Sequence, residues 1–162
     1  MQGDSNIAEI YKVFGVKTIY TEKKIKLEKV KSNMDKFSYN LTSNPDLAQT
    51  ICITCLGLGY SCHLTGLHTL KIKETDRIEA LKKEFIKLGV DGITTSDNKI
   101  YFKGNQKLNN NTKINTYQDH RMALSFAPLA VIIDISIESP NVVSKSFPDY
   151  WEDLKTLGFK IN

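Results

Sequence analysis

The chain has 162 residues, 41% hydrophobic and 25% charged, which is the balance of a soluble globular protein with enough length to bury one core. Lysine and arginine number 22 against 18 acidic residues, a net charge of +4. The basic residues are scattered, which argues against nucleic acid as a partner and suits a small anionic substrate. The longest apolar runs, around residues 51–58 and 129–133, are too short to span a membrane. The polar start Met1-Gln2-Gly3-Asp4-Ser5 shows no signal peptide, so a cytoplasmic location is expected.

Ile7, Ile10, Tyr11 and Phe14 predict a short amphipathic helix from about Ser5, stopped at Gly15. Strands follow at 16–20 and 25–29, with Thr21-Glu22-Lys23-Lys24 as the turn between them, and a third strand at 37–41. Asn44-Pro45 reads as a helix start, an N-cap followed by a first-turn proline. Residues 46–58 are apolar nearly all round, so this helix is expected to be buried on every side. Cys52 and Cys55 form a C-x-x-C inside that run, with Cys62-His63 downstream. Three thiols in a reducing compartment and an apolar helix predict buried cysteines rather than a metal or redox site. Gly59 closes the helix, and 60–64 is a strand.

Residues 71–90 organise the rest. Ile78, Leu81, Phe85 and Leu88 share one helical face, with Lys82, Lys83, Glu84 and Lys87 placed off it. Thr75 is the expected N-cap and Gly89 the left-handed terminator. Lys73, Glu74 and Arg77 crowd the start, where free backbone N–H groups already favour an anion. A helix that needed only a cap would not gather two cations at its positive end. Further on come a hairpin (90–95 and 99–103), a strand at 113–117, and a mostly apolar helix from the N-cap Asp119, ended or kinked at Pro128. A strand at 133–138 and a helix from Ser146-Phe147-Pro148-Asp149 to Leu157 complete the chain.

Gly15, Gly89 and Gly158 each end a helix in the same punctuation and fall at near-equal spacing. Such self-similarity implies a repeated unit, here strand, buried helix, strand, amphipathic helix, strand, strand. The middle copy is complete; the first has only its closing helix and hairpin, and the third stops early. Stacked in one direction, the units would bring their helix N-termini to a common end. Asp46 lies in the first turn of one helix, Lys73, Glu74 and Arg77 at the start of the next, His120 and Arg121 at the third, and Lys145 just before the fourth. Taken singly these are caps or local salt bridges, but their coincidence at successive helix starts favours a shared anion site with two carboxylates for acid–base work.

Gln2-Gly3-Asp4, Pro45-Asp46-Leu47-Ala48-Gln49-Thr50, Ile72-Lys73-Glu74-Thr75-Asp76-Arg77-Ile78, Tyr117-Gln118-Asp119-His120-Arg121-Met122-Ala123 and Lys145-Ser146-Phe147-Pro148-Asp149-Tyr150-Trp151 together resemble the 5-enolpyruvylshikimate-3-phosphate synthase family. The resemblance runs through residues 1–162 and covers the C-terminal part of the family's sequence, well under half of it. It implies an α/β fold, an inside-out barrel of repeated βαβαββ units with helices inside and sheets outside, making up most of one domain of a two-domain enzyme. The implied reaction moves the enolpyruvyl group of phosphoenolpyruvate to the 5-hydroxyl of shikimate 3-phosphate and releases phosphate, with no metal or organic cofactor. By resemblance, Glu74 gives and retakes the methylene proton. Asp46 and Lys73 serve the 5-hydroxyl, Arg77 and Arg121 hold the phosphoenolpyruvate carboxylate, and Lys145 holds its phosphate with His120 alongside. Thr69 stands where some members carry a substrate-contacting Asn. Without the other domain the chain is expected to show no turnover. The alternatives are a UDP-N-acetylglucosamine enolpyruvyl transferase-like enzyme and a non-catalytic binding module.

Overall fold

A computed structural model describes residues 6–162; the Gln2-Gly3-Asp4 stretch and Ser5 lie outside the described residues. The first unit follows directly from its turn chemistry. α1 (Ile7–Val13) buries Ile10, and Gly15 behind it adopts φ +83°, where an added Cβ would stand 2.5 Å from the Val30 carbonyl oxygen. β1 (Val16–Tyr20) and β2 (Ile25–Lys29) pair antiparallel, Val16 opposite Lys29 and Tyr20 opposite Ile25, with the bounds expected from the sequence. The Thr21 hydroxyl closes the turn by donating to the Lys24 carbonyl at 2.8 Å.

The second unit is the complete one. β3 (Lys36–Asn40), α2 (Ala48–Leu58), β4 (Ser61–Thr65), α3 (Arg77–Lys87), β5 (Thr94–Ser96) and β6 (Lys99–Phe102) give the order βαβαββ. Its four strands form one sheet of order β3-β4-β6-β5. β3 and β4 are parallel, as a crossover through α2 requires, while β4 with β6 and β6 with β5 are antiparallel. Within α2 only Leu58 is exposed, which accounts for its lack of a polar face. Its start differs from the expected cap. Pro45–Leu47 is a 3-10 turn, and Asn44 makes no side-chain capping bond, because its amide oxygen accepts from Asn6 Nδ2 at 3.2 Å instead.

The third unit repeats the pattern. β7 (Thr112–Ile114) and β8 (Ile135–Ile137) are parallel and joined through α4 (His120–Phe126), which tightens into a 3-10 turn at Ala127–Val131 around Pro128. A 3-10 turn at Pro140–Lys145 leads to α5 (Tyr150–Thr156). β7 ends three residues before the predicted 117, because the backbone turns away: Tyr117 (φ +53°) and Gln118 (φ +60°) both take left-handed conformations. Such non-glycine conformations cost about 1–3 kcal/mol each unless neighbours hold them.

α2 and α4 pack together inside, and Thr50 and Ser125 hydroxyls meet at 3.3 Å across them. Phe85 of α3 stands edge-on to Phe102 of β6 and to Phe126 of α4, binding the second and third units into one core. Cys52, Cys55 and Cys62 are free thiols wholly within that core. Mutual thiol contact and burial push Cys55 and Cys62 above the ordinary thiol range, so neither is poised as a nucleophile. An apolar groove of about 680 Å³ runs between α1, the first hairpin, α2 and α4, lined among others by Tyr11, Leu27, Thr54, Leu124 and Pro128. Among the described residues no helix is long and apolar enough to cross a membrane.

Candidate functional site

The site is built on the start of α3. The N-cap is Asp76, one residue beyond the expected Thr75: with Asp76 extended (ψ 94°), its Oδ1 accepts from the amides of Ile78 (3.1 Å) and Glu79 (3.0 Å). Asp76→Ala is expected to lower stability in chemical denaturation by about 1 kcal/mol. Thr75→Ala should leave it within about 0.5 kcal/mol.

With Asp76 as the cap, Arg77 becomes the first helical residue and its side chain turns inward, 2% exposed. Every guanidinium nitrogen donates to a carboxylate. Nε reaches Asp119 Oδ2 at 2.6 Å, Nη1 reaches Asp46 Oδ1 at 2.7 Å, and Nη2 reaches Glu74 Oε2 at 2.6 Å and Asp119 Oδ1 at 3.3 Å. The three carboxylates come from the starts of three different helices. Asp46 precedes α2, Glu74 precedes α3, and Asp119 caps α4 by accepting from the Arg121 amide at 2.8 Å. Planar, bidentate donation is what a guanidinium offers and an ammonium does not.

Two more cations join the cluster. Lys73 Nζ lies 3.2 Å from Asp46 Oδ1, and Arg121 Nη1 donates to the Asp46 carbonyl at 3.1 Å, with Nη2 3.8 Å from Asp46 Oδ2. Three carboxylates therefore meet three cations at one end of the helical interior. None of these residues lines the apolar groove. Glu74 is the most open of the acids, its side chain 47% exposed, and its second oxygen bonds no described residue.

The remaining expected residues form no hydrogen bond with a member of the cluster among the described residues. His120 is partly exposed, its Nδ1 3.9 Å from Asp119 Oδ1, too far for a hydrogen bond. Lys145 is exposed at the end of its 3-10 turn, which packs on α4, and it forms no ion pair with a described residue. Trp151 donates to the Pro140 carbonyl at 3.0 Å and Tyr150 to the Leu124 carbonyl at 3.0 Å, tying this turn and α5 to α4. The Thr69 hydroxyl is buried without a hydrogen-bond partner and touches no member of the cluster through a hydrogen bond.

Two roles escaped the sequence reading. Asp119 was expected only as a cap, and it is also the wholly buried partner of Arg77. Glu84 was expected off the buried face and is 0% exposed, because the segment after β7 folds over it. Its spacing of seven from Arg77, which puts both on one face of the helix, was the available signal.

A profile of EPSP synthase (3-phosphoshikimate 1-carboxyvinyltransferase) matches residues 1–154. The chain belongs to the EPSP synthase family. Among EPSP synthases, the 3-phosphoshikimate 1-carboxyvinyltransferase of Bacteroides fragilis is 46% identical over 163 residues, spanning 99% of this chain and 40% of the relative. That of Saccharolobus islandicus is 34% identical, spanning 99% of this chain and 38% of the relative. The chain thus spans about two fifths of the length of the EPSP synthases it matches. The EPSP synthase structure from Acinetobacter baumannii superposes with a TM-score of 0.81 at 21% identity, covering 98% of this chain and 40% of that one. The enolpyruvyl transferase NikO from Streptomyces tendae gives 0.64 at 14% identity, covering 98% and 36%. At these identities the superpositions show the fold, a mixed α/β arrangement shared with enolpyruvyl transferases.

Proposed function

We propose that residues 1–162 form most of one domain of a two-domain, cytoplasmic enolpyruvyl transferase, and supply one wall of its active site. The reaction is transfer of the enolpyruvyl group from phosphoenolpyruvate to the 5-hydroxyl of shikimate 3-phosphate with release of phosphate, a step toward chorismate and the aromatic amino acids. The observation that carries this reading is the gathering of three helix starts by Arg77. It places an accessible carboxylate, Glu74, beside preorganised cations, the arrangement that stabilises a charged intermediate between anionic groups.

The roles follow from family membership and fit the geometry. Glu74 delivers its proton to the methylene carbon of the enolpyruvyl group, the 5-hydroxyl oxygen adds to the adjacent carbon, and Glu74 takes the methyl proton back as phosphate leaves. Asp46 and Lys73, 3.2 Å apart, assist removal of the hydroxyl proton. A substrate carboxylate reaches Arg77 by taking the place of Glu74 at Nη2, which frees Glu74 for chemistry. Arg121 holds the other side of that carboxylate, with His120 and Lys145 on the phosphate. The second domain supplies the remaining contacts to both substrates, and neither nucleic acid nor a membrane takes part.

The full-length protein, given both substrates, is expected to release phosphate, and the 162-residue chain alone to release none. Absence of phosphate release by the full-length protein sinks the catalytic reading; release by the isolated chain sinks the two-domain part of it.

A further inference from the structure

Arg77 and Glu84 are the two buried charges of α3, 2% and 0% exposed, and they are seven residues apart on one face of the helix. Both grip the same short segment. Arg77 holds Asp119. Glu84 Oε1 accepts from the Tyr117 hydroxyl at 2.5 Å and Oε2 from the Asn115 amide at 3.1 Å, while Lys87 Nζ bonds both oxygens at 2.8 and 2.9 Å. Between the two grips lie Tyr117 and Gln118, the consecutive left-handed residues that turn the chain from β7 into α4. Two such residues in a row persist only where the surroundings over-determine them. Burial and the adjacent Glu84 carboxylate raise the Tyr117 phenol above its ordinary value, so it stays protonated and remains a donor.

We infer that Glu84 and Tyr117 are positioning residues: their clasp holds the 115–118 turn and thereby sets where Asp119 and Arg121 stand in the site. Resting on the function proposed above, this makes the anion grip of Arg121 depend on a hydrogen bond more than a helical turn away from it. Among the described residues, neither Glu84 nor Tyr117 forms a hydrogen bond or ion pair with the charged cluster, so their effect passes through the backbone of the turn.

The test uses the full-length protein and three variants, Tyr117→Phe, Glu84→Ala and Glu84→Gln. Glutamine can still accept from the Asn115 amide and donate to the Tyr117 oxygen, so Glu84→Gln is the rescue that keeps the clasp. The first readout does not need turnover: trypsin cleavage after Arg121, followed by mass spectrometry of the fragment starting at Met122. Tyr117→Phe and Glu84→Ala should raise that rate by about fivefold or more at temperatures where the protein stays folded, and Glu84→Gln should not. In the active enzyme, Tyr117→Phe should raise KM for phosphoenolpyruvate by roughly tenfold, with KM for shikimate 3-phosphate and kcat changed less than about threefold. A folded Tyr117→Phe protein cleaved at the wild-type rate overturns the inference. A wild-type protein without turnover strikes only the functional reading, because the cleavage comparison still decides the clasp.

Discussion

Arg77→Met in the full-length protein is expected to lower the unfolding free energy by about 3–5 kcal/mol, the largest stability effect of any single charge in the cluster. The magnitude follows from what is left behind. Methionine matches the aliphatic stem, so lost packing is minor. Asp119, with no exposed side-chain surface, loses both of its guanidinium bonds and keeps only the Arg121 amide. An uncompensated buried carboxylate costs several kcal/mol. Asp46 and Glu74, 28% and 47% exposed, can turn to water and add little. The double variant Arg77→Met with Asp119→Asn should therefore recover part of the loss, a coupling that denaturant titrations of the four proteins would measure. A drop below about 1 kcal/mol in the single variant would mean that water reaches Asp119 and that the pair is not sealed as described.

Glu74→Gln should do the reverse. Its single hydrogen bond from Arg77 can be accepted by the amide oxygen, and its side chain is half open, so stability should hold within about 1 kcal/mol. Phosphate release by the full-length protein should nevertheless fall by about 10²–10⁴, the usual loss when a positioned acid–base group is removed. An amide can neither donate a proton to carbon nor take it back. Rapid-quench or coupled phosphate assays at saturating substrates separate this from weaker binding. Normal turnover by a stable Glu74→Gln protein would transfer the proton chemistry to another residue.

Local signals carried most of the fold. The first hairpin is correct to the residue, because its turn and both strand ends are written in adjacent amino acids. The repeat is equally visible: a strand–buried helix–strand reading becomes a parallel pair around α2 and again around α4. Local reading failed where a distant segment decides the outcome. Glu84 reads as a surface charge from its own neighbours, and its partners Asn115 and Tyr117 lie 31 and 33 residues away. Asp119 meets Arg77 across 42 residues. The cap of α3 moved by one because Thr75 and Asp76 are both good caps, and only the backbone angle at Asp76 selects between them. Motif resemblance found Asp46, Glu74, Arg77 and Arg121, which the fold brings into one cluster, and it found Lys145, which is exposed at the end of its 3-10 turn without an ion pair among the described residues.

The two buried charges of α3 also fix what evolution can do to that helix. Arg77 and Glu84 are separated by two turns, close to 10 Å along the axis. Inserting or deleting one residue between them would swing one charge by about 100° relative to the other and carry it from the interior into solvent. Lys82 and Lys83, on the outer side, are free to change identity. Length in this stretch is therefore constrained more tightly than the identity of its outward-facing residues.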